Sequence, residues 1–441
     1  MARSAPVDKA SKRRIRMNGS PMTRESNTPA LAVLLLLSLF VGLTQLTQIV
    51  THQSVPMVNA CDDVSVDYRE VYLASLFLRN GWNPYEVSRY VYPPLPAQIS
   101  VPLTYLPYDA VKYFIPPAVL ISLLGALLLL HRVFAPPSLR GDLVFALTTL
   151  GTLSLSYPFQ FLFDRGNLDG FVMLLTALGL YWLSSAGLLG GLMLGLAAAL
   201  KLYPILLGLP LLAKRRWKPV VSMAALLFVL FELSMALWLF FAQGRVFERG
   251  AQFRLDENGS LAVTFTYLEW FAARALGLQA PDVVQAVPSR LALPLYLGLL
   301  AIMVWCDLRQ RSFERRQLCA DVMLYFPFLV AVPQLAYHYQ LVWLLGLIPA
   351  VGWFWTQSNL PARRGLLMLV TFGIALSQFP AVAAERALGS IAPQFVPGFG
   401  LLLVMIGAVA LKWTTPRPQR SAVAGPSSAH EPGAVWRSCA R

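Results

Sequence analysis

The sequence is poor in charged residues. Only 13% of its 441 residues are charged, and 56% are hydrophobic, whereas a soluble protein carries about 25% charged residues. The charges fall in short runs between long apolar stretches. A soluble helix buries one stripe and leaves polar residues on its other side, but these stretches are apolar all round. The composition therefore indicates an integral membrane protein.

Cysteine is scarce as well. The four cysteines are Cys61, Cys306, Cys319 and Cys439, and they lie far apart without the spacing of a metal site. Only Cys61 falls in a predicted external loop, so we expect no disulfide there. No cluster of histidines and aspartates has ligand spacing. We therefore expect neither a metal ion nor a cofactor.

The basic residues outnumber the acidic ones. The formal net charge is +14, from 36 Lys and Arg against 22 Asp and Glu. Such an excess can indicate nucleic-acid binding, but here the basic residues flank the apolar stretches instead of forming one face. Basic residues in that position mark the cytosolic ends of membrane spans. We therefore expect membrane lipids as neighbours, and no nucleic acid.

Residues 1–28 are basic and are followed directly by an apolar run. That run is too long for the core of a signal peptide, and no small-residue cleavage pattern follows it. We expect a cytosolic N-terminal segment at 1–28 and a membrane domain at 29–413. The remaining residues, 414–441, are rich in Ser, Pro and Ala, which predicts a disordered cytosolic tail.

A span needs about 20 apolar residues, and a simple reading would make residues 187–213 one helix. That reading places the basic cluster at 214–218 outside, against the positive-inside tendency. Lys201 and Pro204 interrupt the stretch, since proline breaks helices and a charge at mid-bilayer is costly. Splitting it at Lys201 predicts twelve spans, namely 29–50, 112–134, 142–163, 169–185, 187–200, 202–213, 219–243, 291–306, 320–336, 339–356, 365–380 and 397–413.

This topology leaves two long external loops, 51–111 and 244–290. Each contains a half-polar helical pattern, at 68–78 and at 261–276, that could lie flat in the interface. The predicted fold class is therefore all-α and membrane-integral, with about twelve transmembrane helices and amphipathic helices in the external loops. We expect a multi-pass protein of the plasma membrane with both termini in the cytosol.

Polar residues collect at the external ends of the predicted spans. A transport path would instead place polar residues deep within several spans. The clustered residues are Asp67, Asn80, Gly81, Asn83, Tyr85, Tyr92, Arg165, Gly166, Asn167, Lys201, Tyr203, Asn258, His338 and Tyr339.

In this order the motifs resemble family 87 of the C-type glycosyltransferases, which are polyprenol-phosphate-dependent mannosyltransferases. The matching features cover roughly residues 60–345. They are Asp67 followed by aromatic residues, Gly81-x-Asn83-Pro84-Tyr85, Tyr92-Pro93-Pro94, Gly166-Asn167, Lys201 before Tyr203-Pro204, and His338-Tyr339. Many members have Gly-Gln where this chain has Arg165-Gly166, and a Trp-x-His-His-type run where it has only His338.

The resemblance implies an inverting transfer of a hexose, with mannose expected. The donor would be a polyprenyl phosphate sugar and the acceptor a lipid or glycan at the extracytoplasmic face. Such a reaction needs a base for the acceptor hydroxyl and positive charge for the departing phosphate. We expect Asp67 and His338 to be the catalytic residues, with Asp67 as the base, and Lys201 to bind the phosphate together with Arg165 or His338. Further candidates for substrate binding are Tyr85, Asn167, Tyr203 and Asn258.

Two other functions are compatible with a polytopic membrane protein. A transporter or flippase of lipid-linked sugar should expose its site to both sides and show paired repeats, and we see no internal repeat. The other alternative is a scaffold subunit without catalytic activity.

Overall fold

The computed structural model describes residues 65–87, 90–135, 138–183, 185–242, 261–277, 291–310, 314–331, 338–378 and 392–414. Every regular element in these ranges is a helix, as the all-α expectation requires. The predicted first span at 29–50 lies outside the described residues. So do the N-terminal segment, the tail beyond residue 414 and parts of the second external loop.

The first half of the described chain contains eight α-helices and one 3₁₀ helix. In chain order they are α1 (Val66–Arg79), α2 (Pro84–Val87), α3 (Pro94–Ser100), η1 (Val101–Tyr105), α4 (Tyr108–Val111), α5 (Ile115–Phe134), α6 (Leu139–Leu155), α7 (Tyr157–Arg165) and α8 (Asp169–Trp182).

The second half continues in the same way. Its elements are α9 (Gly187–Leu200), η2 (Tyr203–Leu207), α10 (Gly208–Ala213), α11 (Trp217–Leu233), α12 (Met235–Ala242), α13 (Leu261–Ala275), α14 (Ala292–Arg309), α15 (Arg315–Met323), α16 (Phe326–Ala331), η3 (His338–Leu347), α17 (Ile348–Thr356), α18 (Pro361–Ser377) and α19 (Ala392–Trp413).

Both half-polar patterns of the external loops form helices. The first is α1, which packs against α3 and η1 through a face that includes Tyr68, Val71 and Tyr72, while Arg69 on its other side is exposed. The second is α13, at Leu261–Ala275. The one-sided burial of α1 explains its alternating composition.

Three helical stretches in the described part of the chain are long and apolar enough to cross a bilayer: Tyr108–Phe134, Ala292–Arg309 and Phe395–Trp413. The pair α11 and α12 makes a fourth if it counts as one span bent by 99°. Other apolar helices, such as α8 and α9, are shorter. The length of the helices supports a membrane protein, but it does not confirm twelve spans.

The break predicted at Lys201 is present, because α9 ends at Leu200 and η2 begins at Tyr203. Several other predicted spans are interrupted where we expected continuous helices. The span 142–163 is divided at Ser156, whose hydroxyl accepts a bond from the Phe159 amide and caps the next helix. A serine that bonds the backbone in this way competes with helix continuation.

Three other predicted spans are also interrupted. The span 219–243 bends sharply at Ser234, between α11 and α12. The span 320–336 is divided between α15 and α16, and 339–356 begins as the 3₁₀ helix η3. Short helices that end inside the protein bring polar backbone and side chains to internal positions, and one of these positions is the site described below.

A buried ion network joins four helices. It begins at Lys214, at the opposite end of the η2–α10 segment from Lys201. Lys214 follows α10, Asp307 lies on α14, Asp321 on α15 and Lys412 on α19. The Lys214 ammonium lies 3.0 Å from Asp307 and 2.8 Å from Asp321, and that of Lys412 lies 2.6 and 3.0 Å from the same two carboxylates. All four side chains are buried. Lys214 is therefore an internal ion-pair partner and not a surface charge that marks orientation.

Candidate active site

Asp67 lies in the first turn of α1 and faces the end of α7. Its Oδ1 accepts a hydrogen bond from Arg165 Nη1 at 3.0 Å, and its Oδ2 accepts one from Asn167 Nδ2 at 2.6 Å. The side chains of Asp67 and Arg165 are each 14% exposed. The carboxylate is therefore fixed by two donors and still reaches the surface of the protein.

The turn between α7 and α8 brings Arg165 and Asn167 to this carboxylate. Gly166 has a left-handed backbone with φ 59°. The Gly166 amide donates to the Phe163 carbonyl and the Asn167 amide to that of Leu162. This pair of bonds is the Schellman pattern that ends helices at glycine. The turn therefore places the residues on either side of Gly166 against the same carboxylate.

Ser65, just before α1, fits closely against this turn. It also has a left-handed backbone, with φ 64°, and its side chain is buried. A Cβ atom on Gly166 would lie 2.7 Å from Ser65 Oγ. Ser65 Oγ donates to the Lys112 carbonyl, and the Tyr108 hydroxyl donates to the Ser65 carbonyl. These contacts hold the start of α1, and with it Asp67, against the α7–α8 turn.

The broken segment supplies the second cation. Lys201 follows α9 in an extended conformation, and its side chain turns inward. Its ammonium donates to Asn167 Oδ1 at 2.7 Å and to Asp169 Oδ2 at 2.9 Å. The hydroxyl of Tyr203 donates to the other oxygen of Asp169. The break in the apolar stretch thus allows a lysine to enter the protein beside a buried carboxylate.

The five side chains form a continuous set of contacts from Asp169 through Lys201, Asn167 and Asp67 to Arg165. The set contains two carboxylates and two cations, so its charges balance. Asp169 is fully buried and Lys201 nearly so, whereas Asp67 and Arg165 are partly exposed. Balanced pairing is required of charges at this depth. The partly exposed end of the set, at Asp67 and Arg165, is the end that a substrate can reach.

The sequence-based candidates divide into three groups. Asp67, Arg165, Asn167, Lys201 and Tyr203 come together as just described. The roles assigned to them remain predictions.

Tyr85 lies at the edge of this set. Its hydroxyl donates to the Tyr92 carbonyl at 2.8 Å, and the Tyr92 hydroxyl lies 3.4 Å from Asn167 Nδ2. Burial raises the pKa of the Tyr85 hydroxyl, so this group remains a protonated donor at neutral pH. Tyr85 thus supports the loop that carries Tyr92.

The remaining two candidates have no described side-chain environment. His338 is the first residue of η3, but its side chain is outside the described part of the structure. Asn258 lies outside the described residues altogether.

One residue of the site, Asp169, was missed by reading the sequence. Asp169 lies two positions after Asn167, and this short spacing on a turn was a signal that it could share the site. Tyr92, which the sequence placed among the polar residues at the external ends of the spans, also contacts the site, because its ring lies 5.3 Å from the Lys201 ammonium. Contact between an ammonium and an aromatic face is favourable. Within the described residues, no group of three or more His, Cys, Asp or Glu side chains could hold a metal ion.

Comparison with known proteins places the sequence in a family. The sequence profile of glycosyltransferase family 87 matches residues 90–333, more than half of the chain. The chain belongs to glycosyltransferase family 87. The matched range contains Arg165, Asn167, Asp169, Lys201 and Tyr203, whereas Asp67 precedes it.

Two curated relatives are similar to this member of family 87. An alpha-(1->3)-arabinofuranosyltransferase of Mycobacterium tuberculosis (strain H37Rv) is 31% identical over 192 residues, which cover 39% of this chain and 41% of that protein. A polyprenol-phosphate-mannose-dependent alpha-(1-2)-phosphatidylinositol pentamannoside mannosyltransferase of Mycolicibacterium smegmatis is 30% identical over 154 residues, 34% of this chain and 35% of that protein. The matched segments thus span less than half of each relative, and both relatives are glycosyltransferases.

Proposed function

We propose that this family 87 glycosyltransferase moves a mannosyl group from a polyprenyl phosphate to a hydroxyl of a lipid or glycan acceptor. The name of the Mycolicibacterium smegmatis relative includes a polyprenol-phosphate-mannose donor. The Mycobacterium tuberculosis relative is named for arabinofuranosyl transfer. An arabinofuranosyl group is therefore the second candidate for the transferred sugar.

The observation that carries the proposal is the fixed, partly exposed carboxylate of Asp67. A carboxylate has about four lone-pair positions. The bonds from Arg165 and Asn167 occupy two of them, so an acceptor hydroxyl can still bond to the same group. A base held within hydrogen-bond reach of the proton that it removes is the first requirement of general-base catalysis.

The chemical step follows from this placement. The acceptor oxygen attacks the anomeric carbon while its proton passes to Asp67. The bond between the anomeric carbon and the phosphate oxygen breaks, and polyprenyl phosphate leaves with the bonding electron pair. One base and one displacement invert the configuration of the anomeric carbon, as we expect for this protein.

The leaving phosphate needs a cation near Asp67. Arg165 is the more exposed of the two cations in the site, at 14% against 7% for Lys201. A guanidinium offers five donors in a planar fork and can bridge a carboxylate and a phosphate. We therefore assign the phosphate to Arg165, and His338 remains the second candidate that the sequence suggested.

The proposed site lies at the membrane surface. The isoprenoid chain of the donor stays in lipid, while the acceptor hydroxyl arrives from the aqueous side. The topology predicted from the sequence has Asp67, on α1, in the first external loop, and for this reason we propose that the reaction takes place at the extracytoplasmic face of the plasma membrane. The transporter alternative finds no support in the comparisons, since both relatives are glycosyltransferases.

A donor panel tests the proposal. Membranes from cells with and without the protein are incubated with radiolabelled polyprenyl phosphate mannose or polyprenyl phosphate arabinofuranose, and the labelled products are separated. We expect protein-dependent transfer from the mannosyl donor. Transfer from the arabinosyl donor alone would show that the transferred sugar is arabinofuranose and not mannose. Movement of intact donor across vesicles without any transfer would contradict the enzyme assignment.

A further inference from the structure

We propose that Lys201 is a positioning residue that fixes the amide of Asn167 in the orientation that serves Asp67. This inference rests on the proposed function, because it assumes that Asp67 is the base. It replaces the donor-phosphate role that the sequence suggested for Lys201. The mechanism then assigns separate tasks to the two cations, with Arg165 facing the substrate and Lys201 acting from inside the protein.

The surroundings of Asn167 distinguish the two ends of its amide group. Its Oδ1 accepts from two groups that can only donate, the Lys201 ammonium at 2.7 Å and the Asp169 backbone amide at 3.1 Å. Its Nδ2 donates to the Asp67 carboxylate at 2.6 Å. The asparagine is completely buried, so these protein groups decide how the amide is turned.

Rotating the amide by half a turn would reverse every one of these contacts. The NH₂ group would then face the ammonium and the backbone N–H, and the carbonyl oxygen would face the carboxylate. An amide nitrogen only donates and a carboxylate only accepts, so three favourable contacts would become three repulsive ones. Among the described contacts of Oδ1, Lys201 is the only charged donor. On this side of the amide it therefore does most to keep Nδ2 directed at Asp67.

The depth of Lys201 argues against a direct role in binding the donor phosphate. Its side chain is 7% exposed, and it pairs with Asp169, whose side chain is 0% exposed. Asp169 is itself held by the Tyr203 hydroxyl. A phosphate that reached Lys201 would bring its negative charge next to this buried carboxylate. Like charges at such a distance disfavour each other strongly in a buried environment.

The consequence for the reaction passes through Asn167. With its amide fixed, Asp67 keeps one oxygen on Nδ2 and the other on Arg165, which sets the plane of the carboxylate. The lone pairs that remain then point in a constant direction toward the acceptor. Small misplacements of a catalytic group reduce the rate of the chemical step far more than they reduce substrate binding.

The test is a comparison of Lys201→Met with the wild-type protein, purified in detergent and assayed with polyprenyl phosphate mannose. Methionine keeps most of the length of lysine and removes the ammonium. We expect kcat per folded molecule to fall roughly ten- to a hundredfold, the effect of losing a charge-assisted hydrogen bond. The KM for the donor should change by less than about threefold, because no phosphate contact is lost.

A second variant keeps the test independent of folding. Asn167→Leu keeps the approximate volume of asparagine and the balance of two carboxylates and two cations, but it removes the donor to Asp67. The variant should therefore fold, bind donor and lose transfer to a similar or greater extent. Arg165→Met is the contrasting variant, for which the KM for the donor should rise.

The outcomes test the role of Lys201 separately from the proposed transferase activity. A donor KM raised tenfold or more in Lys201→Met, with kcat nearly unchanged, would show that Lys201 binds the donor phosphate. That result would overturn this inference. Unchanged kcat in Asn167→Leu would overturn it as well. Neither result would touch the proposed function, which fails only if the wild-type protein transfers no sugar from either polyprenyl phosphate donor.

Discussion

Gly166 allows the α7–α8 turn to approach the start of α1, and replacing it with alanine tests this packing. Two costs follow from the structure. At φ 59° a residue with a Cβ atom costs about 1–2 kcal/mol. The new atom would also lie 2.7 Å from Ser65 Oγ, 2.9 Å from Ser65 Cβ and 3.0 Å from Ile115 Cγ2. Crowding of this kind costs about 1–3 kcal/mol.

The two costs sum to about 2–5 kcal/mol for Gly166→Ala. Gly277→Ala is the matched control, because Gly277 has φ 70° but no atom within 4 Å of the place that a Cβ atom would occupy. That variant should lose only the backbone part, about 1–2 kcal/mol. The Tm of the detergent-purified protein should therefore fall more for Gly166→Ala than for Gly277→Ala.

A second substitution identifies the source of the crowding. Ser65→Gly removes the side chain that the new methyl group would touch and relieves the left-handed serine, although it gives up the hydrogen bond to the Lys112 carbonyl. In the Gly166→Ala background it should recover part of the crowding cost of about 1–3 kcal/mol, because the contact of the new methyl group with Ile115 Cγ2 remains. A double variant no more stable than Gly166→Ala by itself would refute the reasoning, as would equal losses in Gly166→Ala and Gly277→Ala.

Two further predictions concern parts of the molecule away from the site. Lys412→Met should destabilise the protein by about 3–5 kcal/mol, because it leaves an uncompensated buried carboxylate; adding Asp321→Asn should recover part of the loss of Tm, and an additive loss would contradict the buried network. For the topology, a single cysteine in place of Arg216 should react with an impermeant thiol reagent only after the cells are opened. Strong labelling of this cysteine in intact cells would contradict the cytosolic placement of residues 214–218.

Charge and helix-breaking residues made part of the fold predictable. Lys201 and Pro204 interrupt an apolar stretch, and the structure ends α9 at Leu200. The half-polar patterns in the two loops likewise predicted α1 and α13. The breaks at Ser156 and Ser234 were missed, because serine is common within apolar helices and its bond to the backbone is visible only in the folded chain.

The site was predictable as a set of residues but not as a set of contacts. The sequence brought Asp67, Arg165, Asn167 and Lys201 together as candidates. It did not indicate that Asp169 neutralises Lys201, because an aspartate at the start of a helix is usually explained by the helix dipole. The pairing of Lys214 with Asp307 and Asp321 was missed for a related reason, since these residues lie far apart along the chain.

The central claim is that Asp67 removes the proton of the acceptor hydroxyl, and Asp67→Asn tests it most directly. Asparagine has the size of aspartate but cannot accept the proton as a base. In membranes supplied with radiolabelled polyprenyl phosphate mannose, transfer by this variant should slow by about 10²–10⁴-fold, which is typical of the loss of a general base. Asp62→Asn and Asp63→Asn, in the same loop, are the matched controls and should transfer at nearly the wild-type rate. Wild-type transfer by Asp67→Asn, with loss of transfer in either control, would contradict the account.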